Sequence, residues 1–163
     1  MTELILWIGW KQQLCAKSFA MKLNESVSKI MSTSLHTVQV NDSLEHASSM
    51  FRKHHIRHLP VTHKGELKGI LSLTDLQRLS FASAYSSEDS FEGTADAGVM
   101  EMLGISQVMN RNVVTISRTA SIREAGEILS SNEFHALPVL EGEKLVGIVT
   151  TTDLIRFMIR EAE

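Results

Sequence analysis

The sequence predicts an α/β (α+β) fold made of two β-α-β-β-α units that pack against each other by pseudo-twofold symmetry. Two observations predict it. Residues 27–80 match, without a gap, the residues 78 positions later in the chain. Within each copy, short β-rich runs alternate with helical patterns in the same order. One copy is too small to bury both faces of its own sheet, so we expect the two sheets to pack together.

The clearest matches lie in two short motifs. GILSLTDL at residues 69–76 corresponds to GIVTTTDL at 147–154, and LPV at 59–61 corresponds to LPV at 137–139. Both motifs recur at the same spacing. A chance origin does not give two motifs at one fixed offset, so the chain is a tandem duplication.

The first half of each copy predicts a strand followed by a helix. HTVQV and VVTIS are short runs rich in branched residues, which favour strands. The helix of the second copy opens at Ser121 with Glu124 three residues later, the pattern of a capping box. Ser43 takes the same place in the first copy, with His46 instead of the glutamate. Apolar residues then recur at helical spacing in both copies.

The second half of each copy predicts a hairpin and a second helix. The LPV strands are followed by glycine-containing turns, HKGE and EGEK, and by returning strands, which together indicate a β-hairpin. The TDL segments then begin helices. We expect Thr74 and Thr152 to be the N-cap residues of these helices.

The motifs divide the chain into four parts: an N-terminal tail or helix at 1–25, a first repeat at 26–80, an acidic linker or insertion at 81–104, and a second repeat at 105–160. The apolar run Leu4–Trp10 is too short to span a bilayer and lacks a basic region before it, so we expect neither a membrane anchor nor a secretory signal. It is predicted to pack on the protein, to remain a loose tail, or to form an interface helix.

The composition excludes several classes of protein. The chain has 163 residues and a net charge of −3, which does not support a nucleic-acid footprint. Cys15 is the one cysteine, so no intramolecular disulfide forms; this fits a reducing cytoplasm. We therefore predict a cytoplasmic protein with no nucleic-acid or membrane partner.

The two copies resemble a tandem pair of cystathionine β-synthase (CBS) domains, an arrangement called a Bateman module. The resemblance rests on LPV and on G-h-h-S/T-x-T-D, where h is an aliphatic residue, at the same spacing twice. It implies two clefts between the repeats that bind adenosine-containing ligands: AMP, ADP, ATP or S-adenosylmethionine. It also implies regulation of another protein, as in energy sensing, and assembly into a homodimer.

The aspartates of the repeated octapeptide are the first candidate ligand residues. Asp75 and Asp153 lie in the first helical turn, where the helix dipole favours the ionised carboxylate. Facing a cleft, each carboxylate could accept hydrogen bonds from the two ribose hydroxyls. Ser72 and Thr150, three positions earlier, could donate to a phosphate. The alternative is that S/T-x-T-D simply caps the helix.

The residues before LPV are candidate phosphate ligands, because the resemblance implies basic side chains there. Arg57 offers a planar guanidinium, together with His58, whereas His135 would bind a phosphate only when protonated. The first repeat is therefore predicted to take the more anionic ligand. The resemblance also implies a purine environment formed by four residues: Thr37, Val38, Thr115 and Ile116.

An excess of histidines marks the first repeat and leaves a metal site as an alternative, because imidazole binds zinc, nickel and copper. The histidines are His36, His46, His54, His55, His58 and His63. No spacing among them is typical of a closed zinc site, and surface histidines explain them more simply. We predict no metal site.

These observations favour a regulatory module over an enzyme. The sequence has no nucleophile elbow, Walker loop or metal-hydrolase helix. We therefore expect a stand-alone sensor that requires no cofactor, binds an adenosine nucleotide and controls a separate protein. The alternatives are a dimerisation platform that binds no ligand and, less favoured, a histidine-based metal sensor.

Overall fold

The computed structural model of the chain describes residues 22–86 and 103–161. It divides into two compact units. The repeat-1 unit comprises the described residues of 34–114 together with 143–145, and the repeat-2 unit comprises those of 22–33, 115–142 and 146–161. The predictions for the run Leu4–Trp10, for Cys15 and for most of the acidic insertion lie outside the described residues.

The repeat-1 unit contains the predicted order of strand, helix, strand, strand and helix. Its elements are β1 (Val38–Gln39), α1 (Leu44–His54), β2 (His58–His63), β3 (Glu66–Ser72), α2 (Leu73–Ser86) and a short α3 (Ile105–Val108). β1 pairs with β2 in parallel, and β2 pairs with β3 antiparallel. Because α2 continues to Ser86, this helix extends past the sequence boundary predicted at residue 80.

The repeat-2 unit contains the same order. Its elements are a 3₁₀ turn (Val27–Lys29), β4 (Ile116–Ser117), α4 (Ile122–Ser130), β5 (Ala136–Glu141), β6 (Lys144–Thr150) and α5 (Thr151–Glu161). The first two residues of β6 belong to the repeat-1 unit. β4 pairs in parallel with β5, and β6 is the neighbour of β5 on its other side. The mixed α/β fold predicted from the sequence is therefore present in both units.

The segment that begins each sequence repeat belongs to the unit of the other repeat. Ser32 exchanges two backbone hydrogen bonds with Ile148, at 2.9 and 3.0 Å. The equivalent residues 78 positions away, Asn110 and Ile70, exchange the same two bonds, both at 2.9 Å. The compact units are thus built from two crossed segments, one around residues 27–32 and the other around residues 105–110.

The two cores show the same exchange. The repeat-1 core consists of Val38, Leu44, Ala47, Phe51, Leu59, Val61, Leu71, Leu76, Ile105 and Met109. The repeat-2 core consists of Val27, Ile116, Ala125, Leu129, Leu137, Val139 and Val149. Ile105 and Val27 are fully buried in the unit of the other repeat. Since burying an aliphatic side chain contributes about 1.5–3 kcal/mol, each unit depends on its crossed segment for stability.

The serine caps predicted at the starts of α1 and α4 are confirmed. The hydroxyls of Ser43 and Ser121 each accept a hydrogen bond from the backbone N–H three residues later, both at 3.1 Å. The Glu124 side chain does not accept from the Ser121 backbone N–H, the bond that would complete a capping box. The box prediction was therefore right for one of its two bonds.

The two predicted hairpins close with glycine turns of different kinds. Lys64 and Gly65 both have positive φ, 52° and 87°, as a type I′ turn requires. In the second hairpin Gly142 has a φ of 62°, whereas Glu143 is not among the residues with positive φ. A turn in which the first central residue is a glycine and is the one central residue with positive φ is typical of type II′.

Candidate functional site

The junction between β3 and α2 contains the first candidate site. The Ser72 hydroxyl donates to Asp75 Oδ2 at 2.6 Å, and the Ser72 backbone N–H donates to the same oxygen at 3.1 Å. In return, the Asp75 backbone N–H donates to Ser72 Oγ at 3.2 Å. These reciprocal bonds form a capping box, with Ser72 as the N-cap residue.

The junction between β6 and α5 repeats this geometry. The Thr150 hydroxyl and backbone N–H donate to Asp153 Oδ2 at 2.7 and 2.9 Å, and the Asp153 backbone N–H donates to Thr150 Oγ1 at 3.3 Å. The prediction that Thr74 and Thr152 cap these helices was wrong. The helices begin two residues earlier, and the hydroxyls that accept from their first turns belong to Ser72 and Thr150.

The two carboxylates differ at their second oxygen. In the part of the chain that the structure describes, Asp75 Oδ1 has no hydrogen-bond or ion-pair partner. Asp153 Oδ1 instead lies 3.8 Å from an Arg156 guanidinium nitrogen, although that arginine side chain is 77% exposed. The Asp75 carboxylate is therefore held in place through Oδ2 and presents Oδ1 for a further contact.

The residues predicted to reach a phosphate lie beside these junctions. The backbone carbonyl of Arg57 accepts from the N–H of Leu73, the first residue of α2, at 2.9 Å. The carbonyl of His135 accepts from the N–H of Thr151 at 3.1 Å in the same way. Both Arg57 and His135 are exposed. In the hairpin, His58 is directly paired with Ser72, so it lies at the same end of the sheet.

The four residues assigned to the purine environment divide into two kinds. Thr37 and Thr115 are half-buried residues that directly precede β1 and β4. Val38 and Ile116 are 1% and 4% exposed and belong to the two cores. Their side chains are therefore surrounded by protein, so the threonines offer the more accessible groups of the four.

The histidines of the first repeat do not converge on one point. Among residues 22–86 and 103–161, no group of three His, Cys, Asp or Glu side chains could hold a metal ion. The rings of His36 and His54 lie close but are stacked, with centroids 3.7 Å apart and planes inclined by 23°. The ring nitrogens of imidazoles stacked in this way point along nearly parallel planes rather than toward a shared metal. Among the described helices, none has the length and apolar character to cross a bilayer.

One feature of the site was given in the sequence analysis as an alternative, and another was missed. The capping box is the helix capping that S/T-x-T-D predicted as an alternative, with Ser72 rather than Thr74 as the N-cap residue. The crossed segments have no local signal. Met109 and Asn110 lie next to Gly69 in space, but the distance along the chain hides this contact.

Together, the two units and their duplicated junctions define a tandem-repeat α/β protein with one candidate ligand site in each repeat. A family model for the CBS domain matches the chain twice, at residues 27–81 and 105–160. The chain belongs to the CBS-domain family and carries a tandem pair of these domains, which is a regulatory module.

Two relatives show how far this likeness extends. A CBS domain-containing protein of Dictyostelium discoideum is 31% identical over 139 residues, covering 84% of this chain and 93% of that protein. The homoserine O-acetyltransferase of Methanosarcina acetivorans is 25% identical over 130 residues, covering 78% of this chain but 21% of the enzyme. The likeness to the enzyme thus spans about a fifth of its length.

A solved structure of a CBS-domain pair has the same fold. The pair from the protein MJ0100, described in complex with 5′-methylthioadenosine and S-adenosyl-L-methionine, has a TM-score of 0.66 and 26% identity. The match covers 83% of this chain and 97% of that chain.

Proposed function

We propose that the protein is a sensor that binds an adenosine-containing ligand at one or both strand-to-helix junctions and thereby controls a separate partner protein. The observation that carries this proposal is the Asp75 carboxylate, which is fixed through Oδ2 and has no partner at Oδ1 among the described residues. The ligands described for the MJ0100 pair support the choice of adenosine compounds.

The chemistry of the junction suits a ribose. A vicinal diol presents two hydroxyl donors, and a carboxylate oxygen with open lone pairs accepts from them. Hydrogen bonds to a charged acceptor contribute about 1.5–3 kcal/mol each. Because the capping box already orients the Asp75 carboxylate, little side-chain entropy is lost when a ribose binds.

The phosphate part of the proposal rests mainly on Arg57. The Ser72 hydroxyl has one proton, and Asp75 Oδ2 accepts it at 2.6 Å. Donation to a phosphate would require that hydroxyl to turn away and weaken the box, and the same holds for Thr150. An exposed arginine beside the junction is the stronger phosphate ligand. We therefore expect the repeat-1 site to bind a phosphate-bearing adenosine ligand more tightly than the repeat-2 site does, while the ribose contact at either aspartate also serves an uncharged adenosine compound.

The test is ligand-dependent stability, because a ligand that binds the native state alone stabilises it by about 2.7 kcal/mol at one hundred times its Kd. Melting temperatures are measured with AMP, ADP, ATP, S-adenosylmethionine and 5′-methylthioadenosine, and with GMP as the comparison. We expect shifts with adenosine ligands that Asp75→Asn and Asp153→Asn reduce. An asparagine still accepts at the capping box, so these variants remove the charge and preserve the fold.

Two controls separate binding from capping and from phosphate recognition. Ser121→Ala removes a helix cap away from both junctions, so it lowers the melting temperature without reducing the ligand shift. Arg57→Gln should weaken AMP about tenfold while leaving 5′-methylthioadenosine unchanged. No shift with any adenosine ligand would contradict the sensor and leave the alternative, a platform that binds no ligand. Light scattering with and without ligand tests the proposed homodimer.

A further inference from the structure

The stacked rings of His36 and His54 join two parts of the repeat-1 unit that are distant in sequence. Their centroids are 3.7 Å apart. His54 is the last residue of α1, and His36 directly precedes Thr37 at the entry to β1. The stack therefore links the end of the helix to the start of the edge strand.

The turn that follows His54 at the end of α1 is held by backbone hydrogen bonds. His55 adopts a left-handed conformation with φ 53° and ψ 37°, and its N–H donates to the carbonyl of Phe51. The N–H of Ile56 donates to the same carbonyl at 3.3 Å. Arg57 follows at once. Each ring is thus within three residues of a proposed ligand residue, Thr37 on one side and Arg57 on the other.

We propose that His36 and His54 are positioning residues for the repeat-1 ligand site, and that protonation of His54 separates the rings and weakens ligand binding there. While the His54 imidazole is neutral, its contact with His36 holds the entry to β1 against the turn that leads to Arg57. Loss of solvent and the neighbouring His36 both disfavour a charged His54 ring in this position, so a protonated ring leaves the stack. This inference rests on the proposed function of the repeat-1 site.

The surroundings of His54 oppose its protonation. Loss of solvent around His54, followed by the neighbouring His36 and then Lys53, lowers the pKa of His54 below its ordinary value of 6.5. Neither Asp75 on α2 nor His58 on β2 is among the groups that shift this pKa. Because the folded state disfavours the proton, the stability contributed by this group is complete above pH 6.5 and declines as the pH falls below it, and the stack itself is lost as the pH falls through the lowered pKa of His54.

The second repeat lacks the pair, which provides an internal comparison. The residues 78 positions after His36 and His54 are Val114 and Asn132. Val114 is 43% exposed, and the Asn132 side-chain amide donates to the backbone carbonyl of Ile128 at 2.8 Å. Neither side chain titrates, so the repeat-2 site is expected to show no response to pH from these positions.

The first arm of the test examines the rings without ligand. Protein with isotope-labelled histidines should show a nuclear Overhauser effect between the His36 and His54 rings at pH 7.5 that is lost as the pH falls through the lowered pKa of His54, which the ring shifts of His54 report in the same titration. His36→Phe keeps a stacking ring that cannot be protonated, so its contact with His54 should persist to a lower pH. His46→Gln removes an exposed histidine elsewhere on α1 and should behave like the unchanged protein. A ring contact that persists in the unchanged protein when the His54 ring is protonated overturns the proposal.

The second arm measures binding of 5′-methylthioadenosine, which carries no phosphate that titrates in this range. In an Asp153→Asn background, affinity should fall about three- to tenfold as the pH falls from 7.5 through the lowered pKa of His54, and His36→Phe should reduce that fall. His54→Asn, which introduces the residue of the second repeat, should abolish it. Loss of the ring contact with unchanged affinity overturns the positioning role alone. Absence of binding at both pH values overturns the proposed function of the site.

Discussion

Met109 lies against the backbone of Gly69 so closely that a Cβ on this glycine would be 2.6 Å from the methionine sulfur. Gly147 has the same relationship with Met31, at 2.5 Å. Each methionine begins one repeat and packs on the returning strand of the other. The two glycines of the repeated octapeptide are therefore required by the crossed segments, since only a residue without a side chain permits this approach.

Gly69→Ala is expected to destabilise the protein by about 1–3 kcal/mol, as other insertions into packed sites do. The added Cβ would also be 3.0 Å from the backbone carbonyl of Asn110, which cannot move freely. Gly147→Ala should cost less, because the three atoms nearest its new Cβ all belong to the flexible side chain of Met31. Urea denaturation measures both changes. Equal costs for the two substitutions would contradict this difference.

The control for these variants is Gly126→Ala. Gly126 lies inside α4, and a Cβ there would be 3.9 Å from its nearest neighbour, Leu154. Alanine in an unhindered helix position is more favourable than glycine by about 0.5–1 kcal/mol, so this variant should be more stable than the unchanged protein. A double-mutant cycle that combines Gly69→Ala with Met109→Ala should show coupling, because the second change removes the atom that the first one meets.

The capping boxes are predicted to be worth similar free energies in the two repeats. Ser72→Ala and Thr150→Ala each remove the hydroxyl that bonds the aspartate and caps the helix, at a cost of about 0.5–2 kcal/mol. Urea denaturation measures the free energy of unfolding of both variants, and the m value should stay unchanged. A cost near zero at Ser72 would show that the Asp75 backbone N–H finds another acceptor there.

The sequence predicted most of the secondary structure because the signals for it are local and occur twice. The LPV strands, their glycine turns and the helices that open at Ser43 and Ser121 were each visible in both copies. The prediction of N-caps at Thr74 and Thr152 was wrong because the hydroxyl that caps each helix lies two residues earlier, on Ser72 or Thr150. That hydroxyl both ends a strand and caps a helix, and strand propensity does not reveal the second role.

The crossed segments and the difference between the two carboxylates could not be predicted. The alignment at a fixed offset matches Met31 with Met109, but it does not predict whether each methionine packs on the returning strand of its own repeat or on that of the other repeat. Arg78 and Arg156 are likewise equivalent in sequence, yet only Arg156 lies within 4 Å of its aspartate among the described residues. Such contacts depend on side-chain packing across the unit, which a repeat pattern does not specify.

Lys64 offers a stabilising substitution in the first hairpin. Its φ of 52° is unfavourable for a long side chain, whereas Asn-Gly is the preferred pair for a type I′ turn. Lys64→Asn should raise the free energy of unfolding by up to about 1 kcal/mol. Glu143→Asn in the second hairpin is the control, since residue 143 does not have positive φ. A comparable gain at both positions would point to a charge effect rather than to backbone conformation.

The contact between Lys22 and Glu161 predicts a stability change in acid. The hydrogen bond from Lys22 is the largest cause that lowers the pKa of Glu161 below its usual 4.5, and Arg160 adds to it. A carboxyl whose pKa is lowered by folding contributes stability above its unfolded pKa, and this contribution is lost as the pH falls through the folded value. Stability should therefore decline below about pH 4.5 through this group.

Lys22→Met removes the principal cause of that shift. We expect its melting temperature at pH 6 to be slightly lower than that of the unchanged protein, and its further decline between pH 5 and pH 3 to be smaller. Lys144→Met removes the same charge from an exposed position and should leave the acid decline unchanged. Because exposed ion pairs are screened by salt, the difference between the two variants should shrink in 1 M sodium chloride. Identical pH curves for both variants at low salt would show that Lys22 does not stabilise the ionised form of Glu161.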